Sequence, residues 1–424
     1  MLSLKYIREN TAYVQDSLIQ KKSKVSIPNL LENDSKRRNC LKEVELLRAE
    51  RNKVSASIAE LKKAGKDAQE NILAMRDVSS KIKEVEIELR KVEEIISNEI
   101  YFVPNVVHSS TPVGKDESSN VFIKEWGEAP KFSFTPKDHL ILGEDLQLFD
   151  FKRAVKMAGS GFPLYTGVGA KLERALINFM LDFHISKHNY TELFPPFLAH
   201  ADAMRNTGQL PKFKDDMYQI PEDSLYCIPT AEVPVTNIHQ GEIIPESELP
   251  KKYAAYSACF RREAGSYGKD TKGLIRVHQF NKVELVKFVH PDESYKELET
   301  LLENAEAILQ ALGLHYRVLE LCSGDLSFSA AKCYDLEVWS PAENKYLEVS
   351  SCSNFENFQA RRSNIRYRNN STGKSELIHT LNGSGVATPR LMVALLETYQ
   401  QEDGTIKLPA ALHPFMNMDI ISIS

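Results

Sequence analysis

The strongest constraint on the fold is a heptad pattern that runs through residues 27–100. Between Ile27 and Ile100 the chain has one glycine, Gly65, and one proline, Pro28, and its apolar residues recur at alternating spacings of three and four. Such spacing places a seam of apolar side chains on one face of a helix. The seam positions form two blocks, which are Cys40, Val44, Leu47, Arg51, Val54, Ile58 and Leu61, and then Met75, Val78, Ile82, Val85, Leu89, Val92 and Ile96.

The two heptad blocks are separated by a break at Ala64-Gly65-Lys66-Asp67. Glycine adopts the left-handed conformation in which many helices end, so the first helix is expected to stop here. Two apolar seams joined by a short turn must pack against each other. The sequence therefore predicts an N-terminal antiparallel two-helix coiled coil, with arms of about 50 Å at 1.5 Å per residue.

Charge is distributed unevenly along the predicted hairpin. Its distal part, residues 48–83, has nine basic and five acidic residues, whereas its stem, residues 84–99, has six glutamates against Arg90 and Lys91. The whole chain has a net charge of −5, so nucleic-acid binding would need such a local basic region. A basic distal part is typical of an arm that contacts phosphates. A solvated coiled coil used for dimerisation or as a spacer is the alternative, and Arg51 at the seam is either a register device or extends outward.

Composition excludes several classes of protein. The 424 residues are 42% apolar and 26% charged, as in an ordinary soluble protein of two or three domains. No apolar run reaches the roughly 18 residues of a membrane span, and Met1 to Asn10 lacks the apolar region of a signal peptide. The six cysteines form no C-x-x-C pair, which predicts reduced thiols, a cytoplasmic location and no zinc site.

Composition changes near Pro104, and this change predicts the domain boundaries. We expect the helical arm to occupy residues 1–103. Residues 104–136 are rich in proline, serine, glycine and charge, and they predict a connector with short strands. A second domain is expected over residues 137–424.

Helical and strand-like patterns mix in this second domain. Lys171–Lys187 and Ser294–Leu312 have the apolar period of amphipathic helices, and Lys282–Val289 and Asp335–Trp339 are strand-like. Because the strands and helices do not alternate regularly, the pattern predicts an α+β domain built on an antiparallel sheet.

Paired opposite charges around Arg261 form the clearest chemical motif. Arg261 and Glu263 precede a polar stretch, residues 264–273, and a second strand-like run, Leu274–Phe280, follows with Glu284 after it. The pattern predicts a strand, a polar loop and a returning strand. Side chains two apart on a strand share a face, so Arg261 and Glu263 could address one ligand, such as a nucleotide. An ordinary salt-bridged hairpin is the alternative.

Other segments of the chain, together with this motif, resemble one known family of proteins. The Arg261-x-Glu263 segment, with the strand at Phe280, resembles motif 2 of the class II aminoacyl-tRNA synthetases. Tyr190–Phe197 resembles motif 1, and Leu381–Arg390 resembles motif 3. With Thr230-Ala231-Glu232, the stretch Thr207–Phe213 and the predicted arm, almost the whole chain resembles the bacterial-type seryl-tRNA synthetases.

This resemblance implies both a fold and an activity. The fold is a six- to seven-stranded antiparallel sheet flanked by helices, in a homodimer. The activity is serine activation by ATP, with Mg²⁺, followed by transfer of serine to the 3′-terminal adenosine of tRNA(Ser) and also of tRNA(Sec). In the family the arm binds the long variable region of serine tRNAs, which are recognised largely by shape.

The resemblance also implies the site residues. The serine-binding positions are Thr230, Ala231, Glu232, Glu284 and Ser384. The ATP-binding positions are Arg261, Arg262, Glu263, Val277, Phe280, Glu348, Val349, Ser350, Ser351 and Arg390. Phe280 would stack on adenine, Arg261 and Arg390 would be catalytic, and Glu348 and Ser351 would hold Mg²⁺. The pair Thr388-Pro389 departs from the family, which has a glycine-containing pair there.

The chemistry of adenylate formation agrees with these residue types. A serine carboxylate is already ionised at neutral pH, so its attack on the α-phosphorus needs positive charge between two anions more than it needs a base. Glu232 and Glu284 could each accept the serine ammonium or hydroxyl, and the sequence leaves that choice open. A paralogue that charges another carrier and an inactive RNA-binding protein are the alternatives.

Overall fold

The computed structural model describes residues 1–264 and 272–423. The chain divides into two compact units, one formed by Leu2–Pro104 and the other by Asn105–Ser424 together with Met1. The described α-helices are α1 (Leu4–Glu9), α2 (Thr11–Gln20), α3 (Ile27–Lys63), α4 (Gln69–Ile100), α5 (His139–Asp145), α6 (Phe151–Ala158), α7 (Gly167–His188), α8 (Ala201–Thr207), α9 (Glu232–Asn237), α10 (Ser294–Ala311), α11 (Phe358–Ser363), α12 (Thr388–Tyr399) and α13 (His413–Met416). The described strands are β1 (Val121–Trp126), β2 (Thr191–Leu193), β3 (Leu198–His200), β4 (Gln219–Ile220), β5 (Leu225–Cys227), β6 (Ile243–Pro245), β7 (Lys251–Phe260), β8 (Gln279–Val289), β9 (Tyr316–Glu320), β10 (Lys332–Ser340), β11 (Lys345–Asn354), β12 (Arg366–Arg368), β13 (Ser375–Leu377), β14 (His379–Ala387), β15 (Ile406–Lys407) and β16 (Ile420–Ile421).

Helices α3 and α4 form the predicted coiled coil. Helix α3 ends before Gly65, which has a φ of +68° and turns the chain back into α4. Ion pairs join Arg37 to Glu93 at 3.0 Å and Arg48 to Glu86 at 2.8 Å. Because the α4 partner moves backward along the sequence as the α3 partner moves forward, the two helices run antiparallel. The prediction from the heptads is confirmed.

The seam of the hairpin is apolar, as its spacing requires. Buried seam side chains include Val44 of α3 and Val78, Ile82, Val92 and Ile96 of α4. Arg51, the basic residue at a seam position, has an exposed side chain, so the outward-extending alternative holds for it.

Two short helices, α1 and α2, precede the hairpin and were not predicted from the sequence. Asp34 of α3 is 1% exposed and accepts hydrogen bonds from Arg8 of α1 at 2.6 Å and from Arg38 at 3.2 Å. A buried carboxylate needs such partners, and its ion pair with Arg8 ties α1 to the hairpin. Helices of six and ten residues are too short to produce a clear apolar period.

The second unit is built on an eight-stranded sheet in the order β1-β9-β10-β11-β14-β8-β7-β2. All neighbouring strands are antiparallel except β2 and β7, which pair in parallel. The α+β prediction and the predicted antiparallel sheet are confirmed, although the sheet has eight strands instead of the expected six or seven and one edge pair is parallel. Strand β2 has three residues and lies at one edge, and β1, at the other edge, comes from the segment expected to be a connector.

Three long helices cover the sheet with one apolar core. Leu172, Leu176 and Met180 of α7, Leu301 of α10 and Leu395 of α12 all belong to this core. Helices α7 and α10 correspond to the two predicted amphipathic helices, and strands β8 and β10 include the two strand-like runs. The period of the apolar residues therefore identified the elements that hold the sheet in place.

Two observations concern the whole described chain. Among residues 1–264 and 272–423, no helix is both long and apolar enough to cross a bilayer. All six cysteines are free thiols.

Candidate active site

A cavity of about 380 Å³ opens beside the middle strands of the large sheet. The strands β8, β11 and β14 and the start of α12 each contribute side chains to its wall. The predicted site residues that line it are Thr230, Glu232, Arg261, Glu263, Val277, Phe280, Glu348, Val349, Ser351, Ser384 and Arg390. One cavity thus contains residues predicted for serine, for ATP and for the metal.

Four predicted site residues lie outside the cavity wall. Ala231 is fully buried, and the exposed Arg262 donates its backbone N–H to the carbonyl of Asp216 at 3.0 Å. The Ser350 hydroxyl donates to the carbonyl of Ser384 at 2.6 Å. Glu284 is 1% exposed and contacts side chains of the wall. The roles assigned to these four residues, like those of the eleven residues in the wall, stay predictions.

Glu284 lies at the centre of a hydrogen-bond cluster under the cavity floor. The hydroxyl of Thr230 donates to one carboxylate oxygen at 2.8 Å, and the amide of Asn382 donates to the other at 3.0 Å. Lys282 forms an ion pair with the same carboxylate. The buried charge is therefore compensated from three sides, which fixes its orientation.

Lys282 and Asn382 line the cavity and were missed at the sequence level. A signal for both was present in the strand alternation. Lys282 lies between Phe280 and Glu284 at spacings of two on β8, and Asn382 lies two residues before Ser384 on β14. Since alternate residues of a strand share a face, the predicted residues already implied these neighbours.

Glu232 is a second buried carboxyl group in the same region. It is 7% exposed, and its Oε1 accepts a hydrogen bond from Gln359 at 2.6 Å. Burial, and next the charge of Glu284, raise the pKa of Glu232 to about 7. A buried carboxyl group whose ionisation is disfavoured in this way is one that a bound cation would stabilise in its charged form.

Two guanidinium groups face the other part of the cavity. Arg261 lies over the ring of Phe280 at 5.1 Å and donates from Nε to the carbonyl of Pro229 at 3.4 Å. Arg390 donates from Nε to the carbonyl of Ile275 at 3.1 Å and from Nη1 to the carbonyl of Glu348 at 2.8 Å. Both arginines are thus oriented by backbone carbonyls.

The predicted strand geometry around Arg261 is wrong in detail. Strand β7 ends at Phe260, and Glu263 has a φ of +53°, so the alternation of a strand does not apply to Arg261 and Glu263. The chain departs because the backbone N–H groups of Arg262 and Ala264 donate to Asp216 instead of to a strand. The returning strand β8 begins at Gln279, later than expected, and most of the predicted polar loop lies outside the described residues.

The corner before Arg390 combines a strained backbone with buried hydrogen bonds. Val386 has a φ of +99° at an irregularity in the pairing of β14 with β8, and Thr388 begins α12 with Pro389 in its first turn. Proline is well suited to that position, so the departure from the family pattern leaves the helix start intact. The buried Glu173 accepts hydrogen bonds from Thr388 at 2.5 Å and from Asn281 at 2.8 Å.

The predicted metal ligands, Glu348 and Ser351, are a carboxylate and a hydroxyl. In the part of the chain that the structure describes, no group of three or more His, Cys, Asp or Glu residues could hold a metal ion. Mg²⁺ is commonly bound by one or two protein oxygens, with substrate phosphates and water completing the shell. The carboxylate of Glu348 and the hydroxyl of Ser351, both at the cavity wall, fit that kind of site.

Comparisons with known proteins agree with this geometry. Residues 1–107 match the family described as Seryl-tRNA synthetase N-terminal domain, and residues 212–399 match tRNA synthetase class II core domain (G, H, P, S and T). The chain is 54% identical over 427 residues to a serine–tRNA ligase of Chloroherpeton thalassium, covering 99% of this chain and 100% of that protein. It is 53% identical over 425 residues to a serine–tRNA ligase of Desulfosudis oleivorans, covering 100% of both.

A solved structure is similar over the same length. The seryl-tRNA synthetase from Pyrococcus horikoshii, crystallised with ATP, has a TM-score of 0.94 and 38% identity and covers 100% of both chains. The sheet, its cavity and the core-domain match define a class II aminoacyl-tRNA synthetase. Within this class the chain belongs to the seryl-tRNA synthetase family, and its activity is that of an ATP-dependent serine–tRNA ligase. The predicted family and activity are confirmed, and the two alternative functions are not retained.

Proposed function

We propose that the cavity carries out serine activation with the residues that its wall brings together. The observation that carries the proposal is the pairing, in one cavity, of a carboxyl-rich part at Glu232 with a guanidinium-rich part at Arg261 and Arg390. The first part suits an ammonium and the second suits a triphosphate. L-Serine and ATP bound in this way would form seryl-adenylate and release pyrophosphate.

The guanidinium groups supply the positive charge that the reaction needs. Arg261 neutralises the α-phosphate as negative charge develops there, and Arg390 holds the departing pyrophosphate. Glu348 and Ser351 would hold Mg²⁺, which when bound would supply further neutralisation of phosphate charge. Phe280 offers a ring face for adenine, and Glu263, Val277, Val349, Ser350 and Arg262 are assigned to the rest of the nucleotide.

The serine pocket selects its substrate by pairing with the hydroxyl. Thr230, Glu232, Glu284 and Ser384 offer enough donors and acceptors for both the ammonium and the hydroxyl, and Ala231 is assigned to the same pocket. A site that hydrogen-bonds a hydroxyl rejects an analogue without it by about 10⁴- to 10⁵-fold, because its own groups would be left unpaired. Alanine is excluded in this way.

The experiment that tests this proposal is exchange of labelled pyrophosphate into ATP with each amino acid in turn. Exchange should depend on serine and on added Mg²⁺, because the adenylate forms only when both anions are held by cations. Exchange driven equally well by another amino acid would contradict the proposed serine pocket. Exchange that persists in excess chelator would contradict the metal assignment.

Replacement of Glu284 by glutamine is expected to weaken serine and spare ATP. The serine KM should rise about 30-fold, since a lost charge-assisted hydrogen bond costs about 2 kcal/mol, while the ATP KM stays within about twofold. Glu263→Gln is the matched variant, because Glu263 faces the nucleotide part of the cavity. Glu263→Gln should raise the ATP KM and leave the serine KM unchanged. An unchanged serine KM in Glu284→Gln would contradict the proposed role of Glu284 in serine binding.

Serine binding is expected to depend on pH through Glu232. Because the pKa of Glu232 is raised to about 7, the folded protein favours the protonated carboxyl below that pH. The contribution of this protonated group to the free energy of unfolding is lost as the pH rises through about 7. The ionised form is the one that attracts an ammonium. The kcat/KM for serine should therefore increase between pH 6 and pH 8, and Glu232→Gln should abolish this inflection, which would otherwise have to be assigned to another group.

We further propose that the basic distal part of the arm binds tRNA(Ser) through its phosphates, and that tRNA(Sec) is a second substrate. A homodimer is supported by the apolar cleft beside β2, where Phe194 is 76% exposed and Leu198 is 40% exposed.

The free cysteines support a cytoplasmic location. The domain boundaries at residues 103 and 136 are kept as part of the proposal.

A further inference from the structure

A buried histidine connects three segments next to the nucleotide part of the cavity. His139, the first residue of α5, is 1% exposed, and Glu397 of α12 is fully buried. The ring nitrogen Nδ1 lies 3.3 Å from Oε1 of Glu397, and the backbone N–H of His139 donates to the same oxygen at 3.1 Å. On the other side of the ring, the backbone N–H of Leu274 donates to Nε2 at 3.3 Å.

These contacts fix the tautomer and the orientation of the ring. Because Nε2 accepts a hydrogen bond from Leu274, the ring proton is on Nδ1, where it is donated to Glu397. The second oxygen of Glu397 accepts hydrogen bonds from the hydroxyl of Ser340 and from the backbone N–H of Ala342, the latter at 3.3 Å. Both oxygens of the Glu397 carboxylate therefore accept hydrogen bonds, and these bonds fix its orientation.

The residue after Leu274 forms a hydrogen bond with Arg390, a proposed ATP-binding residue. The next residue, Ile275, accepts the hydrogen bond from Nε of Arg390 at 3.1 Å. Arg390 and Glu397 are seven residues apart on α12, which is about two helical turns, so they project from the same side. A closed path of contacts thus runs from Glu397 through His139, Leu274 and Ile275 to Arg390.

The residue before Leu274 shows how closely the ring approaches the chain. A Cβ at Gly273 would lie 2.3 Å from Nε2 of His139, and the φ of Gly273 is +59°. Only glycine permits this backbone without strain and without displacing the ring. The position therefore requires glycine for the hydrogen bond between Leu274 and His139 to form.

We propose that His139 is a positioning residue for the nucleotide: it fixes the backbone at Leu274 so that the carbonyl of Ile275 orients the guanidinium of Arg390 toward the phosphates. This inference rests on the ATP-binding role proposed for Arg390. His139 touches no substrate in this proposal. Its loss leaves Arg390 in place but less constrained, which weakens binding of ATP and leaves the serine pocket unaffected.

The test is the serine-dependent exchange reaction in His139→Asn, with KM measured for both substrates. Asparagine places an amide N–H near the position of Nδ1, so Glu397 keeps its donor while Leu274 loses its acceptor. The ATP KM should rise about tenfold, as expected for one lost hydrogen bond, and the serine KM should stay within about twofold. Tyr399→Phe is the matched control, because it removes another side-chain hydrogen bond of α12, from the Tyr399 hydroxyl to the carbonyl of Leu312, without touching Glu397, His139 or Leu274, and its ATP KM should be that of the wild type.

A double-variant cycle separates positioning from a general structural role. In the Arg390→Ala background, His139→Asn should cause no further increase in the ATP KM, because both changes act through one guanidinium. An unchanged ATP KM in His139→Asn, or effects that multiply, would overturn the inference. If His139→Asn does not fold, Gly273→Ala disturbs the same contact from the other side and should raise the ATP KM similarly, and a wild-type value there would also overturn it. If Arg390→Ala itself has a normal ATP KM, the proposed role of Arg390 fails instead.

Discussion

Arg261→Ala is expected to reduce serine-dependent pyrophosphate exchange by about 10³-fold, the upper range for removal of one preorganised donor from a site of developing charge. The guanidinium is held by the carbonyl of Pro229 and by the ring of Phe280 before any substrate arrives. A charge that is already in place stabilises the transition state without a cost of reorganisation. The loss should appear in kcat more than in the serine KM, because the α-phosphate gains charge only as the reaction proceeds.

Two further variants determine whether charge or geometry is lost. Arg261→Lys keeps the charge but not the forked donors, so its activity should lie between those of the wild type and Arg261→Ala. Arg153→Ala removes an exposed arginine whose partner is Asp150, and it should exchange pyrophosphate like the wild type. Activity within about threefold of the wild type in Arg261→Ala would contradict the proposed role, since one such donor contributes far more than that.

The second large effect concerns the arm and separates tRNA charging from serine activation. Lys62, Lys63 and Lys66 are exposed at the distal part of the hairpin. Changing all three to glutamine should lower kcat/KM for tRNA by about 100-fold. The slope of the logarithm of the tRNA binding constant against the logarithm of salt concentration should fall in magnitude by about three, because each lysine contributes one phosphate contact. Pyrophosphate exchange without tRNA should be unchanged.

The matched control removes the same number of charges from the stem. Glu84, Glu88 and Glu94 are exposed on α4, and their replacement by glutamine should leave tRNA charging equal to or slightly above that of the wild type. Equal losses of tRNA charging in both triple variants would mean that the substitutions act by destabilising the hairpin and not by removing its positive charge. Unimpaired charging in the lysine variant would contradict the assignment of the distal part to tRNA.

Sequence reasoning succeeded where the pattern is long or local. The heptads extend over tens of residues, so α3 and α4, their turn at Gly65 and their antiparallel packing could all be predicted. The alternation on β8 likewise places Phe280, Lys282 and Glu284 on one face, although Lys282 was overlooked. These patterns depend only on helix and strand geometry, which neighbouring residues determine.

The features that escaped prediction depend on contacts between distant parts of the chain. His139 and Glu397 are separated by 258 positions, and no local pattern marks either of them. The left-handed Glu263 lies between Arg262 and Ala264, whose backbone N–H groups both donate to the distant Asp216, and a strand pattern around Arg261 does not contain these contacts. Strand β2 has three residues and pairs in parallel with β7, which lies about 60 positions further along the chain. In each case tertiary contacts override the local preference.

A crystal structure with a non-hydrolysable seryl-adenylate analogue tests the central claim most directly, namely that one cavity holds serine and nucleotide between carboxylates and guanidinium groups. The account predicts a phosphate oxygen within about 3 Å of the guanidinium of Arg261 and the serine ammonium within about 3 Å of Glu232 or Glu284. An analogue bound elsewhere, with Arg261 and Arg390 directed into solvent, would contradict it.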